Sequence, residues 1–266
     1  MKKYCLDLTI VSIEHISSKH VLIRLTSAAT LPEMLPGQFV EVRVDGSPHT
    51  FLRRPISINY VDRARNELWL LVAAVGEGTR RLAQMVSGQR LNCLFPLGHG
   101  FSDVAAMRAA VGRPSQSTWR VLLVGGGVGV APILYQGAEV LRAGGAPVFL
   151  LGARSAADVL EMNLFNKFGK VYITTEDGSM GEKGFVTNHS ILQREHFDFI
   201  QTCGPTPMMK AVARYAREHG IECEASLENM MACGLGACLC CVEKTKHGNL
   251  CVCKDGPVFN IKNLLW

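Results

Sequence analysis

No run of five basic residues occurs in this chain of 266 residues, and its Lys and Arg are scattered. The formal net charge of +5 is therefore mild and does not demand a nucleic-acid surface. The N-terminus, MKKYCLDLTIVSIEH, lacks an unbroken apolar region because Asp7 and Glu14 interrupt it, so it does not read as a signal peptide. Without export, thiols stay reduced, and a cytoplasmic location is expected. Charge is missing altogether over the 18 residues from Val121 to Ala138, a stretch long enough to suggest a membrane span. Five glycines, Pro132 and Gln136 inside it argue instead for strand, glycine turn and buried helix, and against a membrane. There is no Gly-x-Ser-x-Gly, no Walker lysine motif, no internal repeat and no acid pair, and the eight His are dispersed. No side chain stands out as a catalytic nucleophile, acid or base.

What is present is a composition that builds cores. Hydrophobic residues make up 48% and charged ones 19%, which excludes a disordered or collagenous chain. The length suits two domains and a small third unit. Residues 1 to about 102 read as all-β, with runs such as Thr9-Ile10-Val11, His20 to Leu25 and Gln38 to Val42 split by turns such as Leu35-Pro36-Gly37. Regular spacing of this kind predicts a small barrel or sandwich. One helix from Thr79 to about Val86 interrupts it, with Thr79 as N-cap. Residues 103–118, rich in Ala, Arg and Ser, read as a linker with at most one helical turn.

From Trp119 the period changes. Strands at Val121–Val124, Val148–Leu151, Val171–Thr174 and Phe197–Thr202 alternate with helices. One helix opens at Pro132 and ends at Gly144-Gly145, one is capped by Ser155 with Asp158 three residues on, and one runs from about Pro207 to Glu218. Such alternation predicts a parallel sheet with right-handed crossovers. The expected fold class is thus multidomain, β plus α/β. An N-terminal antiparallel β-barrel occupies 1–102, a parallel α/β sheet domain 119–222, and a small C-terminal cysteine module 223–266.

Six of the ten cysteines (Cys233, Cys238, Cys240, Cys241, Cys251, Cys253) fall within that module. A tight group of reduced thiols reads as a metal site rather than a disulfide scaffold. Cys233-x4-Cys238-x2-Cys241 followed by a distant Cys253 matches the plant-type [2Fe–2S] spacing. Four thiolates must wrap a compact anionic cluster, so the loop must curl, and Gly234 and Gly236 allow backbone N–H groups to approach sulfur. Structural zinc is the alternative, although it favours Cys-x2-Cys pairs and only Cys238/Cys241 makes one. A c-type haem needs His where Val242 stands, and a Rieske centre needs two His where only His247 lies in the module. A thioredoxin-like pair would need a strand–helix setting that is missing. Cys240 and Cys251 each sit within two residues of a candidate ligand, so the spacing does not force the assignment; both read as small hydrophobes.

Three further signals concern nucleotides. Gly125-Gly126-Gly127-Val128-Gly129-Val130-Ala131-Pro132 lies between strand and helix, where glycines let a pyrophosphate approach the backbone. The Gly-x-Gly-x-x-Gly pattern fails, because its sixth position is Val130. Leu52-Arg53-Arg54-Pro55-Ile56-Ser57 offers Arg to a phosphate and Ser to a ring, or is simply a solvated Arg pair. Val75-Gly76-Glu77-Gly78-Thr79 precedes a helix and is anion-friendly, or a plain capped loop.

The order of barrel Arg-x-x-Ser, sheet Gly-Gly-Gly-x-Gly-x-x-Pro and Cys203-Gly204-Pro205 resembles the ferredoxin-reductase-like flavoproteins. Pro36-Gly37-Gln38-Phe39-Val40 and Pro96-Leu97-Gly98 match that family's barrel. Within it the chain resembles the electron-transfer subunits of type B dihydroorotate dehydrogenases. Arg54 to Ser57, Ser226-Leu227-Glu228, Met231 to Cys238 and Cys253-Lys254-Asp255-Gly256-Pro257-Val258-Phe259 carry this, over nearly the whole chain. The resemblance implies FAD held by Arg54, Pro55, Ile56 and Ser57, lined by Leu71, Val72 and Ala73, with Gly78 and Thr79 at its pyrophosphate. It implies NAD at Gly126, Gly127, Gly129, Cys203, Gly204 and Pro205, and a [2Fe–2S] cluster on Cys233, Cys238, Cys241 and Cys253. The wider family has Tyr where Ile56 stands, a change shared by the type B subgroup. Arg154 and Ser155 either meet a 2′-phosphate or open a capped helix, so NAD rather than NADP rests on the resemblance.

The resemblance also implies a partner, an FMN-containing catalytic subunit that oxidises dihydroorotate to orotate in de novo pyrimidine (UMP) synthesis, in a heterotetramer with two of each chain. Electrons would run from FMN through the cluster and FAD to NAD+. Three modules use up the residues, leaving no room for a substrate barrel of about 250 residues. Two other readings compete: a reductase subunit of another NAD(P)H-linked complex (glutamate synthase-like or sulfide/sulfite reductase-like), and a zinc-stabilised scaffold or redox sensor.

Overall fold

Alternating burial along the first strands closes them into a barrel. The structure, a computed structural model, describes residues 2–112 and 119–266. In β1 (Tyr4–Ser17), Leu8 and Ile10 face inward while Thr9 and Val11 face out. β2 (His20–Thr26), β3 (Phe39–Val42), β4 (Arg54–Asp62), β5 (Glu67–Ala73) and β6 (Arg90–Leu97) complete an antiparallel barrel in the order β1-β2-β5-β4-β3-β6. Closure leaves no sheet edge unpaired. α1 (Glu77–Ala83) starts two residues before the expected Thr79. Its N-cap is Gly76, whose N–H donates to Thr79 Oγ1 at 3.0 Å, so Thr79 caps from inside the first turn.

Part of the expected linker is a helix. α2 (Val104–Val111) is capped by Asp103, which accepts from Ala106 N at 2.8 Å, and is stopped by left-handed Gly112. Its alanines favour helix, and Val104 and Met107 give it a buried edge. Residues 113–118 of that expected linker lie outside the described residues.

The second half alternates strand and helix as the sequence predicts. β7 (Arg120–Gly126) leads through one 3-10 turn (Gly127–Gly129) into α3 (Val130–Arg142). α3 begins before Pro132, which still sits in the first turn, where a missing N–H costs nothing. β8 (Ala146–Ala153), α4 (Met162–Phe168), β9 (Lys170–Thr175), β10 (Glu182–Lys183), α5 (Ile191–Arg194), β11 (Phe199–Cys203), α6 (Thr206–Glu218) and β12 (Glu222–Ser226) follow. Ser155 opens only a three-residue 3-10 turn, and its hydroxyl donates to Asp158 Oδ2 at 2.9 Å instead of capping a helix. Under the sheet, buried Gln136, Gln201 and Glu224 form one hydrogen-bonded chain that ends on Ser102.

The cysteine region adds a hairpin, β13 (Val242–Thr245) and β14 (Gly248–Cys251), and a turn of helix, α7 (Val252–Asp255). Then β15 (Val258–Asn260) joins the sheet antiparallel to β12, with Ser226 opposite Val258. The sheet order is β10-β9-β8-β7-β11-β12-β15, and every pairing except β12–β15 is parallel. Packing divides the chain into two units, Met1–Gly100 with Glu228–Pro257, and Phe101–Leu227 with Val258–Trp266. Among the described residues no helix is long and apolar enough to cross a membrane.

Candidate functional site

Left-handed backbone at Gly234 (φ +66°), Gly236 (φ +79°) and Leu239 (φ +60°) curls the chain between Cys233 and Cys241. The curl turns N–H groups toward sulfur. Leu235 N–H donates to Cys233 Sγ (3.3 Å), Gly236 N–H to Cys253 Sγ (3.1 Å) and Cys253 N–H to Cys241 Sγ (3.3 Å). Cys233 also hydrogen-bonds Cys238, Cys253 hydrogen-bonds Cys241, and Cys253 lies within electrostatic reach of Cys233. The four expected ligands therefore come together, and all ten cysteines are free thiols. The Leu235 N–H, first among its neighbours, pulls the Cys233 thiol down to about 6. Burial, with Cys241 beside it, pushes Cys253 up to about 12.

Among the described residues no three His, Cys, Asp or Glu side chains close around a single metal ion. The thiols instead meet in pairs, and a two-iron, two-sulfide core is wider than one ion. Four sulfurs, three of them with N–H donors aimed at them, are the donor set such a core needs.

The same unit carries a slot in the barrel wall. β4 pairs with β5 only from Ile58–Leu70 outward. Before that point Arg54–Ser57 pair with β3, and beyond it Leu71–Ala73 pair with β2. The two strands part, with Arg54, Pro55, Ile56 and Ser57 half-buried on one side. Leu71 and Val72 are buried, with side chains on opposite faces of β5, and Ala73 is half-buried. Arg54 lies at the start of α1: a Cβ at Gly78 would stand 3.2 Å from its Nε and 2.9 Å from Thr50 Cγ2. Two motifs far apart in sequence thus make one cationic, glycine-floored corner, which fits a diphosphate next to a flat ring. Arg53 is half-buried and donates to the carbonyls of Glu41 and Asn92 and to Asn92 Oδ1.

In the other unit, Gly126 ends β7 and Cys203, buried, ends the neighbouring β11. Their loops touch backbone to backbone. A Cβ at Gly129 would stand 2.5 Å from Gly204 Cα, and one at Gly126 would stand 2.5 Å from Met208 Sδ and 3.1 Å from Pro205 Cδ. Gly127, at φ +55°, faces open space, with nothing within 4 Å of an added Cβ. The arrangement is a crevice at the carboxyl ends of adjacent parallel strands, each followed by a helix, which suits a dinucleotide. Beyond β8, Arg154 is exposed, and Asp158 holds the Ser155 hydroxyl.

Three residues at these sites escape the sequence reading. Thr50 and Met208 carry no local signal, since their contacts are with chain segments remote from them or turned back on them. Glu41 does carry one, being an acid within the apolar run Phe39-Val40-Glu41-Val42. It is 0% exposed, neither carboxyl oxygen has a hydrogen-bond partner among the described residues, and a Cβ at Gly234 would stand 2.7 Å from its Cγ. Burial pushes its pKa up to about 7, against the pull of Arg53 and with Cys233 adding to the rise.

A family model for the iron–sulfur cluster binding domain of dihydroorotate dehydrogenase B matches residues 228–265. The electron transfer subunit of dihydroorotate dehydrogenase B (NAD(+)) from Shouchella clausii is 42% identical over 231 residues, 85% of each chain. Its counterpart from Fusobacterium nucleatum is 41% identical over 231 residues, 84% of each. The chain belongs to the family of dihydroorotate dehydrogenase B electron transfer subunits. Like other members it is an oxidoreductase subunit, with the barrel, sheet and cluster-binding segment expected from the sequence. Among solved structures, an NADH-dependent reduced ferredoxin-NADP oxidoreductase superposes with a TM-score of 0.84 at 27% identity, covering 97% of this chain and 90% of that one. The ferredoxin reductase of carbazole 1,9a-dioxygenase shares the fold at a TM-score of 0.66 and 17% identity, over 83% of this chain and 67% of that one.

Proposed function

We propose that electrons cross this dihydroorotate dehydrogenase B subunit between a [2Fe–2S] cluster on Cys233, Cys238, Cys241 and Cys253 and an FAD in the barrel slot, and are exchanged with NAD bound at the glycine crevice. One observation carries the reading. Glu41, which lies against Gly234 of the cysteine loop, pairs across β3–β4 with Pro55 of Arg54-Pro55-Ile56-Ser57. Adjacent strands stand about 4.8 Å apart, so the thiol cage and the slot are separated by little more than one strand.

When bound, a flavin trades two electrons as hydride with a nicotinamide and single electrons with an iron–sulfur centre. The protein's part is placement. Arg54 neutralises the FAD diphosphate over Gly78 and Thr79, Ser57 hydrogen-bonds the ring, and the backbone edge of Leu71–Ala73 lies along it. Gly126, Gly127 and Gly129, with Cys203, Gly204 and Pro205, bring backbone up to the NAD diphosphate, Gly127 from the open side. Asp158 puts a negative charge beside Ser155 where a 2′-phosphate would sit, which favours NAD over NADP. In this reading 1–102 serve FAD, 119–222 NAD and 223–266 the cluster, while β12 and β15 at the two ends of that last range complete the sheet.

The family name implies a catalytic partner subunit. In our reading it carries FMN, oxidises dihydroorotate to orotate for UMP synthesis, and assembles with this chain two-and-two in the cytoplasm. Met230 (84% exposed), Leu239 (65%) and Leu235 (43%) give the cysteine loop an apolar surface suited to such a partner.

The test is metal, sulfide and flavin analysis of the full chain purified without air, with and without its partner. Equal iron and sulfide, with FAD at half of either, is expected. A colourless protein, or one holding zinc alone, would overturn the reading.

A further inference from the structure

We propose that Cys251 is a reserve ligand, placed to take over the iron held by Cys253. The inference rests on the cluster reading above. Cys251 is 9% exposed at the end of β14, opposite Val242, with its thiol free. The next residue ties this segment to the cage, since Val252 N–H donates to the carbonyl of Cys241 at 3.1 Å.

The decisive contact is at Gly236. Its N–H donates to Cys253 Sγ at 3.1 Å, and its carbonyl accepts from Cys251 Sγ at 3.9 Å. Both thiols therefore touch one residue of the ligand loop. Cys251 is also within electrostatic reach of Cys241 and Cys238. Its backbone is pinned, because its N–H donates to Asp255 Oδ2 at 2.8 Å. A change of side-chain rotamer therefore moves its sulfur without moving the chain. Cys240, also a spare in sequence, is exposed and has no part in these contacts.

The exchange is chemically neutral. Cys251 gives its thiol proton to solvent and binds iron as thiolate, the Cys253 sulfur it displaces leaves as thiolate and takes a proton from solvent, and no electron is gained or lost. The donor set remains four thiolates.

The test compares Cys253→Ala, Cys251→Ala, Cys251→Ala/Cys253→Ala and Cys240→Ala/Cys253→Ala in the full chain, purified without air. Iron and sulfide content, the EPR signal of the reduced protein and visible circular dichroism are read, with flavin content showing that each variant has folded. Cys253→Ala should keep most of its iron with altered EPR and dichroism, and so should Cys240→Ala/Cys253→Ala. Cys251→Ala/Cys253→Ala should fall by roughly tenfold in iron retained against chelator, the scale of losing a supporting group at a metal site. Cys251→Ala alone should match the native protein. If Cys253→Ala is as empty as the double variant while the native chain is loaded, the reserve role is wrong. If the native chain itself lacks iron and sulfide, the cluster reading fails instead.

Discussion

Replacing Gly129 with alanine should force the nucleotide crevice apart from behind. The new Cβ would stand 2.5 Å from Gly204 Cα and 2.6 Å from Gly204 N, against an optimal carbon separation of about 3.5–4.0 Å. Both neighbours are backbone, so no side-chain rotation relieves the contact, and the two loops must separate by roughly 1 Å. Overpacking of this kind costs about 1–3 kcal/mol, and a backbone clash belongs at the upper end. At about 2–4 °C per kcal/mol for a chain of this size, the melting temperature should drop by roughly 6–12 °C. Gly127→Ala is the control. Nothing lies within 4 Å of its added Cβ, and only its φ of +55° resists substitution, a strain of about 1–2 kcal/mol. It should therefore melt less far below the native protein than Gly129→Ala. Its methyl group nevertheless occupies the open side where a diphosphate would approach, so KM for NAD+ should rise about tenfold, equivalent to about 1.4 kcal/mol. Calorimetry and NADH-driven flavin bleaching measure the two effects. The reasoning fails if Gly129→Ala melts within about 2 °C of native, or if Gly127→Ala handles NAD+ as the native chain does.

Arg54→Ala should release FAD during purification, because it removes the guanidinium beside Gly78; undiminished flavin would refute the assignment. Cys233→Ser should lose iron and sulfide but keep flavin, since slot and cage are built from different strands and loops; loss of both would argue against that separation. Asp158→Ala should raise kcat/KM for NADP+ by about tenfold by removing a negative charge next to Ser155, and an unchanged NAD+/NADP+ ratio would show that the selectivity lies elsewhere. Burial holds the His189 pKa below its ordinary 6.5, Arg194 adding to this and Glu182 opposing it. The stability tied to its neutral ring is present above about 6.5 and is lost as pH falls toward the lowered native value. His189→Gln should therefore show a shallower loss of melting temperature on acidification, whereas parallel curves for variant and native protein would exclude the effect.

The parts of the molecule legible in the sequence are those written in short-range pattern. Cys233-x4-Cys238-x2-Cys241 and the glycines among them announce a curled sulfur-rich loop, and the glycine-rich turn after Val124 announces the start of a sheet crevice. The shift from period two to strand–helix alternation at Trp119 gives the fold class. What stays hidden is set by register and closure. Arg54 meets Gly78 only because the barrel closes, and the slot exists because the β4–β5 ladder stops at Ile58–Leu70. α2 escapes notice because its alanines carry little amphipathic signal, and α1 starts early because Gly76 caps it through backbone, leaving no side chain to read. β12 is obscured by Glu222, Cys223 and Glu224, whose polarity masks a strand inside the sheet.

The pairing of Ser226 with Val258 has a consequence for how the metal centre is loaded. The stretch from Leu227 to Pro257 leaves and returns at a single rung of one ladder, like a purse with its drawstring already tied. Bringing the ends of so long a segment together costs about 3 kcal/mol of chain entropy, and the β12–β15 pairing meets that cost without help from iron. A late-arriving cluster meets thiols whose large-scale search is over, which makes insertion after folding, and repair after oxidative loss, possible without unfolding the protein.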